Sequence, residues 1–169
     1  MPMPAGARRL VLVAALFAST LGCDQATKRI AVERLVEGQR HSYVADVVRL
    51  ERVRNPGAFL SLGARLPDGV RVALFTWGSG AIVLLALGMA LWRGLSTPAA
   101  AAAALIAAGG AGNLWDRVQT GGWVVDFLNL GVGPVRTGIF NVADVALMAG
   151  AGLMIVAGRR RGPAAPVST

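Results

Sequence analysis

Two aspartates in the C-terminal third of the chain stand where an acidic side chain has no evident local use. Asp126 interrupts the apolar run Trp123, Val124, Val125, Phe127, Leu128, and Asp144 follows Asn141 by three residues near the start of a long apolar stretch. Two carboxylates held close together can share one proton, because like charges at short range do not both stay ionised. In such a dyad the ionised partner draws a proton from water and the neutral partner polarises a carbonyl, so the pair can activate water against an amide. Plainer readings stand beside this one. Asp126 could be a loop residue bonded to backbone amides, and one of Asn141 and Asp144 could simply cap a helix. Asn141 is the better cap, which leaves Asp144 inside the first turns, facing the same way as Asn141 and in need of a partner or a proton.

Other polar residues gather in the same parts of the chain. Asp24 and Lys28 are i,i+4, the spacing of an ion pair on one helix face, while Asn113, Asp116 and Arg117 share a face that could brace neighbouring helices or simply lie at a membrane interface. Acyl transfer through serine would need His41 beside a Ser, or the single lysine, Lys28, free of Asp24. One Cys (Cys23) and one His (His41) exclude an intrachain disulfide framework and disfavour a zinc site. No cofactor is expected. A hard cation held by Asp and Asn oxygens remains a separate possibility, as does a proton-conducting subunit that uses buried acids as a relay.

The elements that must position these residues are membrane spans. The chain is 54% hydrophobic and only 15% charged, unlike a soluble domain, and its formal net charge of +8 comes from sixteen Arg and one Lys. Those charges form no patch beside aromatic platforms, so nucleic acid is not an expected partner. They cluster instead at the ends of apolar runs, in Arg8 and Arg9, Arg93, and Arg159 to Arg161. A span needs roughly 20 mostly apolar residues. Residues 72–92 and 94–115 are uncharged and form a hairpin about Arg93 and Pro98; residues 10–27 form a span with Asp24 at its exit, and residues 137–158 a span with Asp144 about two turns in.

Arg-rich short flanks place the N-terminus, the Arg93 turn and the C-terminus in the cytoplasm. The loops at 28–71 and 116–136 then lie outside, and every acidic residue beside a span falls at that outer face. The 28–71 loop carries nine basic and five acidic residues, against the trend of the rule, but loops of this length are translocated despite charge. Its stretch from Tyr43 to Arg54 alternates in part and suggests one or two short strands. The expected fold is therefore an all-α integral membrane protein with four transmembrane helices and a small, partly β outer region between helices 1 and 2. Ala107, Ala108, Gly109, Gly110, Ala111 and Gly112 make the third helix thin enough for close packing. Residues 162–169 read as a disordered tail. The first 23 residues imitate a lipoprotein signal peptide that ends in Leu21, Gly22, Cys23, but Thr20 and three further spans argue against it, and Cys23 reads as a small buried residue.

Four blocks, in order along nearly the whole chain, resemble lipoprotein signal peptidase, also called signal peptidase II. They are Asp24-Gln25-Ala26-Thr27-Lys28; Arg54-Asn55-Pro56-Gly57-Ala58-Phe59; Gly109-Gly110-Ala111-Gly112-Asn113-Leu114-Trp115-Asp116-Arg117; and Val124-Val125-Asp126-Phe127 followed by Phe140-Asn141-Val142-Ala143-Asp144. The resemblance implies an intramembrane aspartic endopeptidase of the bacterial inner membrane, with Asp126 and Asp144 as the catalytic pair and no metal. It also implies that Asn55, Gly57, Asn113, Asp116, Arg117, Val125, Asn141, Ala143, Asp24 and Lys28 line or support the site. The implied substrate is a prolipoprotein cut just before a diacylglyceryl-modified cysteine, with membrane lipid as the surrounding partner. Nothing demands more than a monomer. Pro56 stands where the family pattern has Thr, and Ala58-Phe59-Leu60-Ser61 is a shifted form of its Ala, Phe, Ser cluster. The proline steers Asn55 away from helical conformation.

Overall fold

The structure is a computed structural model and describes residues 3–57, 63 and 65–159. The motif residues Ala58, Phe59, Leu60 and Ser61, together with Arg160, Arg161 and the tail at 162–169, lie outside the described residues. Four long helical stretches carry the fold. The first is α1 (Ala5–Arg34). The second runs without a break through α2 (Asp68–Val72), a π-helical segment (Ala73–Gly78) and α3 (Ser79–Leu91). The third is α4 (Thr97–Thr120) and the fourth α5 (Val142–Arg159). Three of them, Ala5–Arg34, Asp68–Leu91 and Val142–Arg159, are long and apolar enough to cross a membrane. Their outer faces carry large exposed side chains, among them Leu10, Val11, Ile82, Leu84, Leu85, Met148 and Ile155. Such faces are stable against lipid tails and costly against water.

Helix α4 is the interior element, packed against α1, α3 and α5. Its alanines at 100, 102, 103, 104, 107 and 108 are almost wholly buried, because small side chains let helix backbones approach closely. Glycines permit the close approach of α4 to α5 and α1. A Cβ on Gly109 would stand 2.5 Å from the carbonyl oxygen of Ala143 in α5, and one on Gly150 of α5 would stand 2.8 Å from that of Ala102. A Cβ on Gly112 would collide with the carboxylate of Asp24. Ser96 caps the helix by accepting from the Ala99 amide at 3.4 Å, Pro98 lies in its first turn, and Gly121 closes it at a left-handed φ of 74°. At the Ser96 end, the guanidinium of Arg9 donates to the carbonyls of Ala90, Trp92 and Leu95. It thereby satisfies the orphan acceptors at the end of α3 and ties the tight turn to α1.

At the opposite end lies one antiparallel sheet in the order β1-β2-β3-β4, made of β1 (Arg40–Tyr43), β2 (Val48–Asn55), β3 (Val124–Val132) and β4 (Val135–Arg136). Of the one or two strands expected between Tyr43 and Arg54, β2 forms there, while β1 lies ahead of that stretch and shares only Tyr43 with it. The sheet is larger than expected, however, because the second loop supplies β3 and β4; Val124 to Val132 runs as one strand even with a carboxylate at its third position. Asn55 ends β2 in extended backbone, as Pro56 demands. β2 and β3 pair with a shift in register between Leu50 and Val53.

Three expectations need correction. The last helix begins at Val142 rather than near residue 137, because Phe140 bridges to Leu128 on β3 and holds residues 137–141 out of helical conformation. Asp144 is therefore in the first turn, not two turns in. The first and third helices continue to Arg34 and Thr120, so Lys28, Asp116 and Arg117 are helical and not part of the loops expected at 28–71 and 116–136. Cys23 is exposed on α1 instead of buried.

The glycines of α4 give a direct test. Gly112→Ala should destabilise the protein by ~1–3 kcal/mol through overpacking against Asp24, whereas Gly88→Ala, where an added Cβ meets nothing within 4 Å, should leave the thermal midpoint in detergent unchanged or slightly raised. Equal midpoints for the two variants would contradict the close-approach account.

Candidate active site

The sheet and the helix ends converge on a set of buried polar side chains. Asp24, Lys28, Asn55, Asn113, Asp116, Arg117, Asp126, Asn141 and Asp144 are all buried, with Asp24 and Asn141 at 0% and Asp126 at 1% exposure. Every residue singled out for chemistry in the sequence is thus brought to this end of the bundle. Buried polar groups are costly unless paired, and each of these side chains makes at least one polar contact, although Arg117 Nε is buried with no hydrogen-bond partner.

Asp126 sits on β3 opposite Val53 of β2. Asn55, two residues further along β2, reaches it diagonally and donates from Nδ2 to Asp126 Oδ2 at 2.8 Å. The oxygen of the same amide accepts the Gly57 N–H at 2.9 Å, so Asn55 is held at both ends. The other carboxylate oxygen, Asp126 Oδ1, accepts from Asn141 Nδ2 at 2.6 Å. Burial is the main reason that the Asp126 carboxyl is pushed up to about 6, and the charge of Asp144 pushes the same way; the bonds from Asn55 and Asn141 and the charge of Lys28 oppose it.

Asp144 is placed by the start of α5. Asn141 Oδ1 accepts the Asp144 N–H at 2.9 Å, and Asp144 Oδ2 accepts the Asn141 N–H at 3.3 Å, the reciprocal arrangement of a capping box. Asn141 is the cap, as its type and spacing suggested. The remaining oxygen, Asp144 Oδ1, accepts from Asn113 Nδ2 at 2.9 Å. Asn141 therefore touches both aspartates. Each carboxylate receives its bonds from neutral amides, and among the described residues no Lys or Arg forms an ion pair with either.

The cations are one layer back. Lys28 pairs with Asp24 as its spacing predicted, at 2.9 Å, and also with Asp116 at 2.9 Å. Asp24 Oδ1 accepts the Ala143 N–H at 2.9 Å, and Asp116 Oδ2 accepts the Val125 N–H at 3.1 Å. Arg117 donates from Nη2 to the Gly57 carbonyl at 2.7 Å and lies 6.0 Å from the Phe75 ring centroid, which ties α4 to the Asn55 loop and to the π-helical segment. Sequence reasoning passed over Gln25, whose Nε2 donates to Asp24, Asp116 and the Gly112 carbonyl. Its place beside Asp24 in the sequence gave no hint of this, since helix neighbours point to different faces. The Arg71–Trp123 contact at 5.6 Å was likewise illegible, because it joins distant segments.

Two buried carboxyls with a common amide neighbour, one of them raised toward neutrality, can hold a proton between them and act on water. The same residues offer no group of three or more His, Cys, Asp or Glu arranged to hold a metal ion, among those described.

Comparison with known proteins sharpens this. The family model for signal peptidase (SPase) II matches residues 16–159. A protein named lipoprotein signal peptidase from Leifsonia xyli subsp. xyli is 34% identical over 155 residues, which is 87% of this chain and 66% of that protein's length. One of the same name from Methylocella silvestris is 34% identical and covers 86% of this chain and 84% of its own. Another from Mycobacterium leprae is 35% identical and covers 88% and 72%. Among solved structures, a bacterial membrane enzyme determined at 2.3 Å shares the fold with a TM-score of 0.78 at 24% identity over 93% of both chains. A second, at 1.9 Å, gives 0.74 at 25% identity over 88% of this chain and 93% of its own.

The raised Asp126 carboxyl carries a signed prediction. Its ordinary value is about 3.9, so with a folded value of about 6 the folded state binds the proton more tightly than the unfolded one. The stability contributed by this group is complete below about pH 4 and is lost as pH rises through about 6. Across that window the thermal midpoint of the native protein should fall relative to Asp126→Asn measured in the same detergent. A difference between the two that stays flat, or that widens in favour of the native protein with rising pH, would count against the burial argument.

Proposed function

The chain belongs to the signal peptidase II family, and from that premise we propose that Asp126 and Asp144 are its catalytic pair. It is an aspartic-type peptidase that removes signal peptides from prolipoproteins. One observation carries the assignment within the site. Of the four buried aspartates, Asp24 and Asp116 are both in contact with the Lys28 ammonium, while Asp126 and Asp144 are held only by amides and are linked through Asn141. Contact with a cation makes the first two structural, and its lack leaves the other two free to share a proton.

The chemistry follows from that proton. The ionised carboxylate takes a proton from water as the water oxygen attacks the scissile carbonyl carbon. The neutral carboxyl donates its proton to the carbonyl oxygen, giving an uncharged tetrahedral diol. Collapse of the diol returns a hydroxyl proton to one carboxylate, and the amide nitrogen leaves with the proton that the other had taken from water. The pair ends as it began, with one proton. Acid and base roles belong to the coupled pair and not to one residue of it. Asn55, Asn113 and Asn141 hold the carboxyls, and Gly57, Val125, Ala143, Asp116, Arg117, Asp24 and Lys28 hold the backbone around them.

The substrate in this reading is a precursor whose cysteine carries a diacylglyceryl group, cut at the amide just before that cysteine. Its acyl tails stay in the bilayer and supply up to ~0.8 kcal/mol per buried CH₂. We further read the chain as a four-span monomer of the bacterial inner membrane, with α4 as the fourth span between the three more apolar ones. Its termini are cytoplasmic, and the sheet and aspartates are at the periplasmic face. The Arg residues at the Arg9 and Arg93 end support this orientation, as does the confinement of the buried acids to the other.

Purified enzyme in detergent, given a diacylglyceryl-modified prolipoprotein, should cut before the lipidated cysteine with or without chelator. Asp126→Asn and Asp144→Asn should each fold and lose activity by about 10³-fold or more. Near-native activity in either variant, or abolition of cleavage by chelator, would overturn the two-aspartate assignment.

A further inference from the structure

We propose that Lys28 is the positioning residue of the site, fixing both the orientation of the amides that face Asp126 and Asp144 and the backbone on which the two aspartates stand. The inference rests on the reading of Asp126 and Asp144 as the catalytic pair. Its basis is a property of the ammonium group, which has three N–H donors and no acceptor. Three acceptors meet it: Asp24 Oδ2 at 2.9 Å, Asp116 Oδ2 at 2.9 Å and Asn113 Oδ1 at 3.0 Å. The group is 3% exposed, so these three bonds replace its hydration.

The third bond sets a polarity. A primary amide has an accepting end and a donating end, and beside an ammonium only the accepting end is tolerated. Asn113 must therefore turn Oδ1 toward Lys28, which leaves Nδ2 for Asp144 Oδ1 at 2.9 Å. The same Asn113 oxygen accepts from Asn141 Nδ2 at 3.1 Å. That directs the donating end of Asn141 toward Asp126 Oδ1 and its oxygen toward the Asp144 N–H. A flip of Asn113 would set N–H against ammonium and oxygen against carboxylate. One cation thus decides that both aspartates are met by donors.

The other two bonds set position. Asp24, held by Lys28 through one oxygen, accepts the amide of Ala143 through the other; Asp116 meets Lys28 with Oδ2 and accepts the amide of Val125 on that same oxygen. Ala143 immediately precedes Asp144 and Val125 immediately precedes Asp126. Lys28 reaches the backbone beside each member of the pair through one intervening carboxylate. The charged groups around it are Asp24 on its own helix, Asp116 and Arg117 on α4, Asp126 on β3 and Asp144 on α5.

A lysine that merely stabilised the fold would, when replaced, lower folded yield and thermal midpoint but leave the folded fraction with native kcat and pH dependence. A positioning lysine predicts more. In monodisperse, folded preparations assayed on diacylglyceryl-modified prolipoprotein, Lys28→Met and Lys28→Gln should lower kcat by about 10–100-fold with KM changed by less than about threefold. The limb of the pH profile that follows Asp126 should move to higher pH, since removal of a cation favours the protonated carboxyl. Lys28→Arg, which keeps donors alone, should hold the native profile and recover most of the kcat, unlike Lys28→Gln. Should the Lys28 variants not fold, Asn113→Asp tests the same polarity. It keeps an oxygen toward Lys28 but presents a second oxygen to Asp144, and it should lower kcat and raise the same limb. Native kcat and an unshifted limb in folded Lys28→Met, or in folded Asn113→Asp, would overturn the proposal. Asp126→Asn run alongside separates the two layers: if it cleaves at a native rate, the catalytic reading fails; if it is dead while Lys28→Met is native, only the inference about Lys28 fails.

Discussion

An ionisable group taken out of water must find partners or lose its charge, and this chain buries six of them at one end of a helical bundle: Asp24, Lys28, Asp116, Arg117, Asp126 and Asp144. Most of the architecture can be read as the means of satisfying that requirement. Helix α4 lacks a side chain at Gly112, so the Asp24 carboxylate can lie against it and reach the amide of Ala143. Phe140 is bridged to β3, so α5 starts at a residue whose side chain caps it and touches both candidate catalytic acids. The β2–β3 pairing brings Asn55 diagonally over Asp126. Each of these is a local rule of helix capping, strand pairing or glycine packing, placed where a buried polar atom would otherwise be unsatisfied.

Within that network the four aspartates divide by environment. Two sit against an ammonium and hold backbone amides, and they pin α5 and β3. Two meet neutral amides only, and there burial acts without full compensation, which raises Asp126 to about 6. The same residue type thus supplies scaffold and chemistry, distinguished by whether a cation is in contact. In the proposed reading this division also explains why amides, not arginines, surround the two candidate catalytic acids. A guanidinium in contact with either carboxylate would lower its proton affinity and so disfavour the shared proton that the proposed chemistry requires.

Much of this was legible in the sequence, and what was not has a physical reason. The apolar runs marked four spans, three of which form helices long and apolar enough to cross a membrane, and the Ala and Gly content of α4 marked it for close packing. The i,i+4 spacing of Asp24 and Lys28 and the i,i+3 spacing of Asn141 and Asp144 encode contacts within one helix turn, and both contacts form. The four motif blocks, taken as a resemblance, gathered residues from distant parts of the chain that local spacing could not join. Misjudged points involve partners far away in sequence. The start of α5 is set by Phe140 against Leu128, β3 forms because β2 is there to pair with, and Gln25 matters because Asp116 lies across from it. Periodicity reports a residue's own helix or strand and says nothing of what will pack against it.

The central claim is that a buried aspartate carboxyl on β3 keeps a proton that an ordinary aspartate would have lost. Infrared spectroscopy of the purified protein, with carbon-13 in the aspartate side chains, measures that proton directly. At about pH 5, between the ordinary value of about 3.9 and the value of about 6 to which burial raises Asp126, the spectrum should show a protonated carboxyl band. It should be missing from Asp126→Asn and should fade as pH rises through about 6. No protonated aspartate at that pH, or a band that survives the substitution unchanged, would contradict the account.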